Sequence, residues 1–299
     1  MKKIFEEYGG VITVAMAIVA LICVVALLVG GPNGGWIGNA FKGITDKFLE
    51  KTSTAMDAVS VAEGEHVYTL EEIDADDHLY GIGATKAAYV VAKFNDDYTE
   101  VTIFANGPES DGKIKNYTGK DTPLFAHADT LKKANITKGV TTLGDNTFWN
   151  CTFLSEVNIP NTVTAIGLGC FNRCQALTSV VIPDSVTTIV RKAFNECTGL
   201  TSVTLSKNIT ELPEFAFYAA NQITTITIPE GVTSIGAYAF GCTSGTYTIE
   251  DVYIPNSVTT MEDTSIQYPS KSYAPTIHVK EGSYAETWAT GKGLTVVYY

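Results

Sequence analysis

The sequence predicts a solenoid, a stack of short coils, because one motif recurs every 23 residues through the second half of the 299-residue chain. One column of the motif holds β-branched residues: Val140, Val163, Val186, Ile209 and Val232. A second column holds one phenylalanine per copy: Phe148, Phe171, Phe194, Phe217 and Phe240. A period of about 20 to 29 residues is typical of leucine-rich repeats, whose coils bury their apolar faces only by stacking. We therefore predict a leucine-rich-repeat solenoid, mainly β with short turns and helices, over residues 134–266.

Each copy of the repeat encodes a short strand followed by a turn. In the clearest copy, Leu177, Val180 and Ile182 are the inward residues of a half-buried strand. Pro183 has no N–H to donate to a neighbouring strand, so it ends the strand. Apolar residues return further along the coil as far as Phe194, which fills its interior.

The outward positions of these strands form two columns, which we predict to be a binding face. Most of them are short and polar: Glu156, Asn158, Ser179, Val181, Ser202, Thr204, Thr225, Thr227, Asp251 and Tyr253. Strong binding centres are enriched in Trp, Tyr and Arg. This composition therefore indicates a weak, multivalent contact with a partner and does not identify that partner.

The segment before the repeats, residues 58–133, is predicted to be a β-rich N-terminal cap. Strand patterns occur at Ala88–Phe94 and at Glu100–Phe104, and a turn cluster at residues 95–97 separates them. A solenoid needs a cap to cover the open end of its core. We expect this unit to lead into the first coil and to seal it.

The last segment, residues 267–299, departs from the repeat and is predicted to be the C-terminal cap. Thr276–Val279 and Leu294–Tyr298 have the composition of strands. Between them, residues 283–289 are predicted to form a short helix with Ser283 as its N-cap.

The repeat unit resembles a known family. The pattern Ile-Pro-x-x-Val-Thr-x-Ile-Gly-x-x-Ala-Phe-x-x-Cys, seen in Ile159–Cys174, Ile182–Cys197 and Ile228–Cys242, is similar to the BspA-like class of bacterial leucine-rich repeats. Glu281–Trp288 resembles the closing segment of that class, so the resemblance covers about residues 85–299. It implies a non-enzymatic bacterial cell-surface protein whose repeat ectodomain serves adhesion or protein–protein interaction. Its implied partner is an extracellular protein or a cell-surface ligand.

Residues 11–30 carry no charge and are predicted to form a transmembrane helix. Its apolar residues include Val11, Ile12, Ile18, Leu21, Leu27 and Leu28. About 20 apolar residues cross a bilayer as a helix, and a signal-peptide core is shorter, roughly 7 to 15 residues. Lys2 and Lys3 favour a cytoplasmic tip over residues 1–10. We therefore expect a single-pass protein of the cell membrane with an extracellular ectodomain.

Residues 31–57 are predicted to form a glycine hinge and an amphipathic helix. Ile37, Phe41, Ile44 and Phe48 lie on one face of this helix. Together with the preceding apolar helix, this arrangement resembles the short Flp-type pilins, whose helices pack into a filament core. The resemblance implies an alternative, a pilin-like subunit that forms a homopolymer and displays the repeats on a surface filament. Release as a secreted protein is a third possibility.

Three cysteines occupy equivalent positions in successive coils: Cys151, Cys174 and Cys197. Stacking would place them about 4.8 Å apart, a Cα separation that a disulfide accepts. Ala220 fills the same position in the next coil, which indicates a site for a small buried residue. We therefore favour free, buried thiols.

No catalytic, cofactor or metal site is predicted. Cys170 and Cys174 are four residues apart, but no histidine lies near them in the sequence to complete a metal site. The acidic run Glu71–His78 lacks the spacing of a calcium loop and is interpreted as a solvated acidic loop. With 32 acidic and 20 basic side chains and a pI of about 4.8, the chain should repel nucleic acid.

Overall fold

The computed structural model describes residues 66–86, 89–137, 139–242 and 247–299. The predicted cytoplasmic tip, transmembrane helix and amphipathic helix, residues 1–57, lie outside these ranges. Within the described ranges, no helix is both long enough and apolar enough to cross a membrane.

The N-terminal cap is a small β unit joined to the first coil. Its elements and the first strand of the repeats are α1 (Leu70–Ala75), β1 (Leu79–Gly81), β2 (Val90–Phe94), β3 (Glu100–Ala105) and β4 (Lys133–Ile136). Strands β2 and β3 form the expected antiparallel hairpin, and β3 then pairs in parallel with β4. The cap therefore shares a sheet with the first coil, and its buried side chains continue into the core of the repeats.

The coils contribute short strands to two faces of the solenoid. In chain order these are β5 (Thr142–Leu143), β6 (Glu156–Asn158), β7 (Ala165–Ile166), β8 (Ser179–Val181), β9 (Thr188–Ile189), β10 (Ser202–Thr204), β11 (Glu211–Leu212), β12 (Thr225–Thr227), β13 (Ser234–Ile235), β14 (Asp251–Tyr253) and β15 (Thr260–Met261). Even-numbered strands from β4 onward lie on one face, and odd-numbered strands from β5 to β15 lie on the other. Within each face the neighbouring strands that pair do so in parallel.

The C-terminal cap extends the even-numbered face. Its elements are β16 (Thr276–Val279), α2 (Tyr284–Gly291) and β17 (Thr295–Tyr298). Strand β16 pairs in parallel with β14, and β17 pairs in parallel with β16. The Ser283 hydroxyl accepts a hydrogen bond from the Glu286 N–H at 3.1 Å, as expected for an N-cap. Trp288, on the inner side of α2, is buried at the end of the core.

Stacked phenylalanines form the centre of the core. The five side chains of the predicted column, Phe148 to Phe240, are all buried. Successive rings are nearly parallel, with centroids 5.1, 5.1, 5.2 and 5.4 Å apart. Such aromatic pairs contribute about 0.5 to 1.5 kcal/mol beyond the burial of their surface. The 23-residue period therefore has a direct structural meaning, since it places each ring over the ring of the preceding coil.

The threonine of the Val-Thr pair has a separate role, which the sequence pattern did not reveal. The Thr164 hydroxyl donates to the Thr141 carbonyl at 3.1 Å, and the Thr187 hydroxyl donates to the Thr164 carbonyl at 3.4 Å. The Thr233 hydroxyl donates to the Thr210 carbonyl at 3.1 Å. The valine or isoleucine thus fills the core while the threonine that follows it ties its coil to the preceding one.

The cysteines are buried and unbridged, as predicted. Cys151, Cys170, Cys174 and Cys197 are free thiols with no exposed surface. The Cys174 thiol donates to the Phe148 carbonyl at 3.3 Å, and the Cys197 thiol donates to the Phe171 carbonyl at 3.1 Å. Burial raises the pKa of Cys151 and Cys197 to about 12, so these thiols stay protonated at neutral pH.

The interpretation of Glu71–His78 as a loop is wrong over most of its length, because residues 70–75 form helix α1. Thr69 and Glu72 form a capping box, in which the Glu72 N–H donates to the Thr69 hydroxyl and the Thr69 N–H donates to the Glu72 carboxylate. The Thr-x-x-Glu pattern from Thr69 to Glu72 is the sequence feature that indicates the start of this helix.

Among the described residues, no group of three or more His, Cys, Asp or Glu side chains is placed to hold a metal ion.

We expect Phe194→Ala to lower the free energy of unfolding by about 3 to 5 kcal/mol, because the deletion leaves a cavity between two stacked rings. Urea denaturation of the full chain, followed by circular dichroism, measures the change. The exposed Val181→Ala is the control and should change stability by less than about 0.5 kcal/mol. Equal effects of the two substitutions would contradict the role of the ring stack.

His127 lies in an aromatic cluster of the N-terminal cap. Its ring stacks on Tyr98 with centroids 4.1 Å apart, and its Nε2 lies 3.1 Å from the Tyr80 hydroxyl. His78 covers the other face of Tyr98 at 4.7 Å. Burial lowers the pKa of His127 below its ordinary value, against the opposing effect of Asp129. The folded cap therefore favours the neutral imidazole.

This lowered pKa predicts a loss of stability in mild acid. The unfolded chain takes up a proton at His127 near pH 6.5, and the folded chain does so only at lower pH. The contribution of neutral His127 to the free energy of unfolding is fully present above about pH 6.5. It is lost as the pH falls toward the pKa of His127 in the folded chain. Urea denaturation at pH 7.5 and pH 5 should show a smaller pH effect in His127→Phe than in the wild-type chain. An unchanged pH effect would exclude His127 as its source.

Candidate functional site

The outward side chains of β4, β6, β8, β10, β12, β14, β16 and β17 form the surface that we call the ladder face. All ten predicted binding residues lie on it. Eight are exposed: Glu156, Asn158, Ser179, Val181, Ser202, Thr204, Thr225 and Thr227. Asp251 and Tyr253 are half-buried, because residues of β16 pack beside them.

The ladder face is longer than predicted at both ends. In the register of β4 with β6, Lys133 lies beside Glu156 and Asn135 lies beside Asn158. At the other end, the register of β14 with β16 brings four more residues into the two columns or beside them: Thr276 and His278 from β16, and Thr295 and Val297 from β17. The signal for Lys133 and Asn135 was present in the sequence, since each lies 23 residues before a predicted member.

The middle of the ladder face is uncharged. Its six side chains come from three consecutive even-numbered strands: Ser179, Val181, Ser202, Thr204, Thr225 and Thr227. Five of them carry a hydroxyl group, and Val181 is the exception, with 63% of its surface exposed. Because these side chains are short and uncharged, they protrude little from the strands and leave this strip of the surface accessible.

Polar pairs mark the N-terminal end of the ladder face. The Lys133 Nζ lies 3.1 Å from the Glu156 Oε1, and both side chains are largely exposed. An exposed ion pair of this kind contributes about 0 to 1 kcal/mol to stability. The Asn158 side chain donates to the Asn135 side-chain carbonyl at 3.2 Å. These side chains therefore present charged and amide groups to solvent, and the ion pair contributes little to folding.

The C-terminal end of the ladder face combines a hydrogen bond with ring stacking. The His278 Nε2 lies 2.6 Å from the Asp251 Oδ1, and the His278 ring stacks on Tyr253 with centroids 4.1 Å apart. The Tyr299 ring lies 5.8 Å from Tyr253, and the Lys280 Nζ lies 4.4 Å from the centre of the Tyr299 ring. This end holds the type of aromatic group that dominates binding energy at interfaces.

Parallel coils with one stacked ring each and a ladder of outward strand positions define the molecule as a leucine-rich-repeat solenoid. The predicted fold class is confirmed for the repeats. The ladder face supplies hydroxyl, amide, carboxylate and ring groups, which can form hydrogen bonds, ion pairs and stacking contacts.

Residues 166–273 match the family described as the BspA type leucine-rich repeat region, with six copies of the repeat. This segment is therefore a BspA-type leucine-rich repeat region, and the resemblance seen in the sequence is confirmed for it. The resemblance to Flp-type pilins concerns residues outside the described ranges and stays a prediction. No curated protein matches the chain in sequence.

Several solved structures are similar to the chain. A leucine-rich repeat protein from Eubacterium ventriosum is 19% identical, with 68% of this chain and 72% of that chain covered and a TM-score of 0.33. A leucine-rich repeat protein from Bacteroides ovatus is 18% identical, with 70% and 66% covered and a TM-score of 0.36. A leucine-rich repeat protein from T. pallidum is 14% identical, with 72% and 98% covered and a TM-score of 0.34. The family assignment rests on the repeat match and not on these superpositions.

Proposed function

We propose that this chain is a non-enzymatic bacterial surface protein whose ladder face binds an extracellular protein or a cell-surface ligand. One observation carries the proposal, namely the in-register series of outward positions from Lys133 to His278. A repeated surface of this kind suits an extended partner, because equivalent groups recur at every coil.

The dimensions and chemistry of the ladder face support a protein partner. Eight strands at about 4.8 Å spacing give a surface about 34 Å long, comparable to the span of a protein interface. The uncharged centre favours close approach, since little charge must lose its hydration there. The stacked Tyr253 and His278 are the best candidates for the largest single contribution to affinity.

The proposed location is the cell envelope, with the repeats outside. It is supported by the uncharged stretch over residues 11–30, which has the length of a membrane-spanning helix. The acidic excess over the whole chain, a formal net charge of −12, disfavours nucleic acid and anionic membrane surfaces as partners.

A pilin-like role is the competing proposal, and it rests on the apolar residues Ile37, Phe41, Ile44 and Phe48, which follow the uncharged stretch over residues 11–30. Gentle shearing of native cells, followed by immunogold electron microscopy with antibody to the repeats, separates the two. Labelled filaments in the sheared fraction would favour the pilin-like subunit. Label retained on the cell envelope would favour an anchored surface protein.

Substitution of the uncharged strip tests the ladder face directly. The double variant Ser202→Arg and Thr225→Arg places two bulky charges on exposed positions without changing a core residue. We expect attachment of cells that display this variant to a panel of immobilised extracellular-matrix proteins to fall at least about tenfold. Thr188→Arg, on exposed β9 of the opposite face, is the matched control and should leave attachment unchanged. Equal attachment of the double variant and the wild type would move the site away from the ladder face.

A further inference from the structure

Three aromatic side chains, Phe215, Tyr218 and Tyr238, form a cluster that we call the aromatic triad. The rings of Phe215 and Tyr238 stack with centroids 5.1 Å apart and planes 3° apart. The Tyr218 ring stands nearly perpendicular to both, at centroid distances of 5.4 and 6.0 Å. All three side chains are half-buried, and the core beside them is already filled by the buried Phe217 and Phe240. The triad therefore presents aromatic surface to solvent.

The backbone at the triad disfavours the residues that it carries. Phe215 and Tyr238 have φ values of 57° and 55°, in the left-handed region that bulky L-residues rarely adopt. The equivalent positions in earlier coils hold Asn146, Gly169 and Lys192 at φ values of 55°, 57° and 62°, so the left-handed turn is a feature of the repeat. What distinguishes these two coils is that the residue at the turn is an aromatic ring that lies outside the phenylalanine stack.

A groove of mixed polar and apolar lining is formed by residues that are close in the chain to the aromatic triad. It has a volume of about 380 Å³, and its lining combines Leu212, Pro213, Ile235 and Gly236 with charged and hydroxyl side chains: Arg191, Glu211, Glu214, Ser234, Thr260 and Glu262. Glu214 directly precedes Phe215 in the chain, and Arg191 directly precedes Lys192, whose Nζ lies 5.4 Å from the centre of the Phe215 ring. The triad thus follows directly on residues that line the groove, and the groove lies on the side of β11, β13 and β15, away from the ladder face.

We propose that the groove and the aromatic triad form a binding site for a neutral oligosaccharide. Sugars present a hydrogen-rich face that packs on aromatic carbon, and vicinal hydroxyls that bind carboxylate and guanidinium groups in pairs. The volume lies near the lower end of the range for small-molecule sites, about 300 to 1,000 Å³, which suits one or two sugar units. Three carboxylates against Arg191 and Lys192 leave the site net negative, so it repels acidic sugars.

This site is independent of the ladder face, and substitution with asparagine tests it without removing a core residue. Phe215→Asn and Tyr238→Asn together install the residue that Asn146 already shows to be compatible with the local backbone. We expect the double variant to unfold at the same temperature as the wild type or at a higher one. Affinity electrophoresis of the full chain through gels containing mannan, galactan, xylan or dextran should show retardation by at least one polysaccharide. The double variant should reduce that retardation at least tenfold.

Two controls make the outcome specific. Phe153→Asn removes an aromatic ring that is 53% exposed and does not line the groove, and it should leave retardation unchanged. The ladder-face variant with Ser202→Arg and Thr225→Arg should also keep it, so failure of the ladder-face proposal is distinguishable from failure of this one. No retardation by any of the four polysaccharides, or undiminished retardation of the double variant, would overturn the proposal. Stronger retardation by an acidic polysaccharide such as pectin would also overturn it. So would a double variant that loses binding to a protein partner and keeps its retardation by polysaccharides.

Discussion

The whole structure depends on the vertical register of the coils, because each inward side chain must meet its equivalent in the preceding coil. The nearly parallel phenylalanine rings show how closely this is achieved. Hydrogen bonds follow the same register, from the threonine hydroxyls to the carbonyls of the coil before. The interval from Val232 to Val258 is 26 residues, and the Thr259 hydroxyl still donates to the Thr233 carbonyl at 3.4 Å, so the register is kept where a coil is longer. Core and surface therefore share one register, and the columns of the ladder face follow from the packing inside.

Periodicity explains how much of the fold could be predicted from the sequence. Inward positions such as Val180 and outward positions such as Ser179 alternate as in any half-buried strand, and both were placed correctly. Strand β16 was predicted to its last residue, but its membership of the ladder face was not, because register between unlike segments is set by three-dimensional pairing. The aromatic triad was missed for another reason. A pattern of inward residues carries no information on the sign of φ at the positions between them, where Phe215 and Tyr238 lie.

The two candidate surfaces differ in chemistry as well as in position. The ladder face is long, shallow and uncharged at its centre, and its aromatic group is at one end. The groove is local and has three glutamates in its lining, and the aromatic triad follows its lining residues in the chain. The ladder face arises from repetition, since every coil contributes a similar pair of side chains. The aromatic triad arises from a departure from repetition, since two coils carry a ring, Phe215 or Tyr238, where earlier coils carry a small or polar residue.

The buried thiols have a consequence for life in an oxidising environment. Burial raises the pKa of Cys151 and Cys197 far above neutral pH, so both stay protonated there, and the thiolate is the form that attacks disulfides. The folded solenoid therefore shields its own cysteines from oxidation and exchange. An unfolded chain has no such shield, because an exposed thiol has a pKa of about 8.5. The thiols therefore stay free only if the coils stack before the chain meets an oxidant.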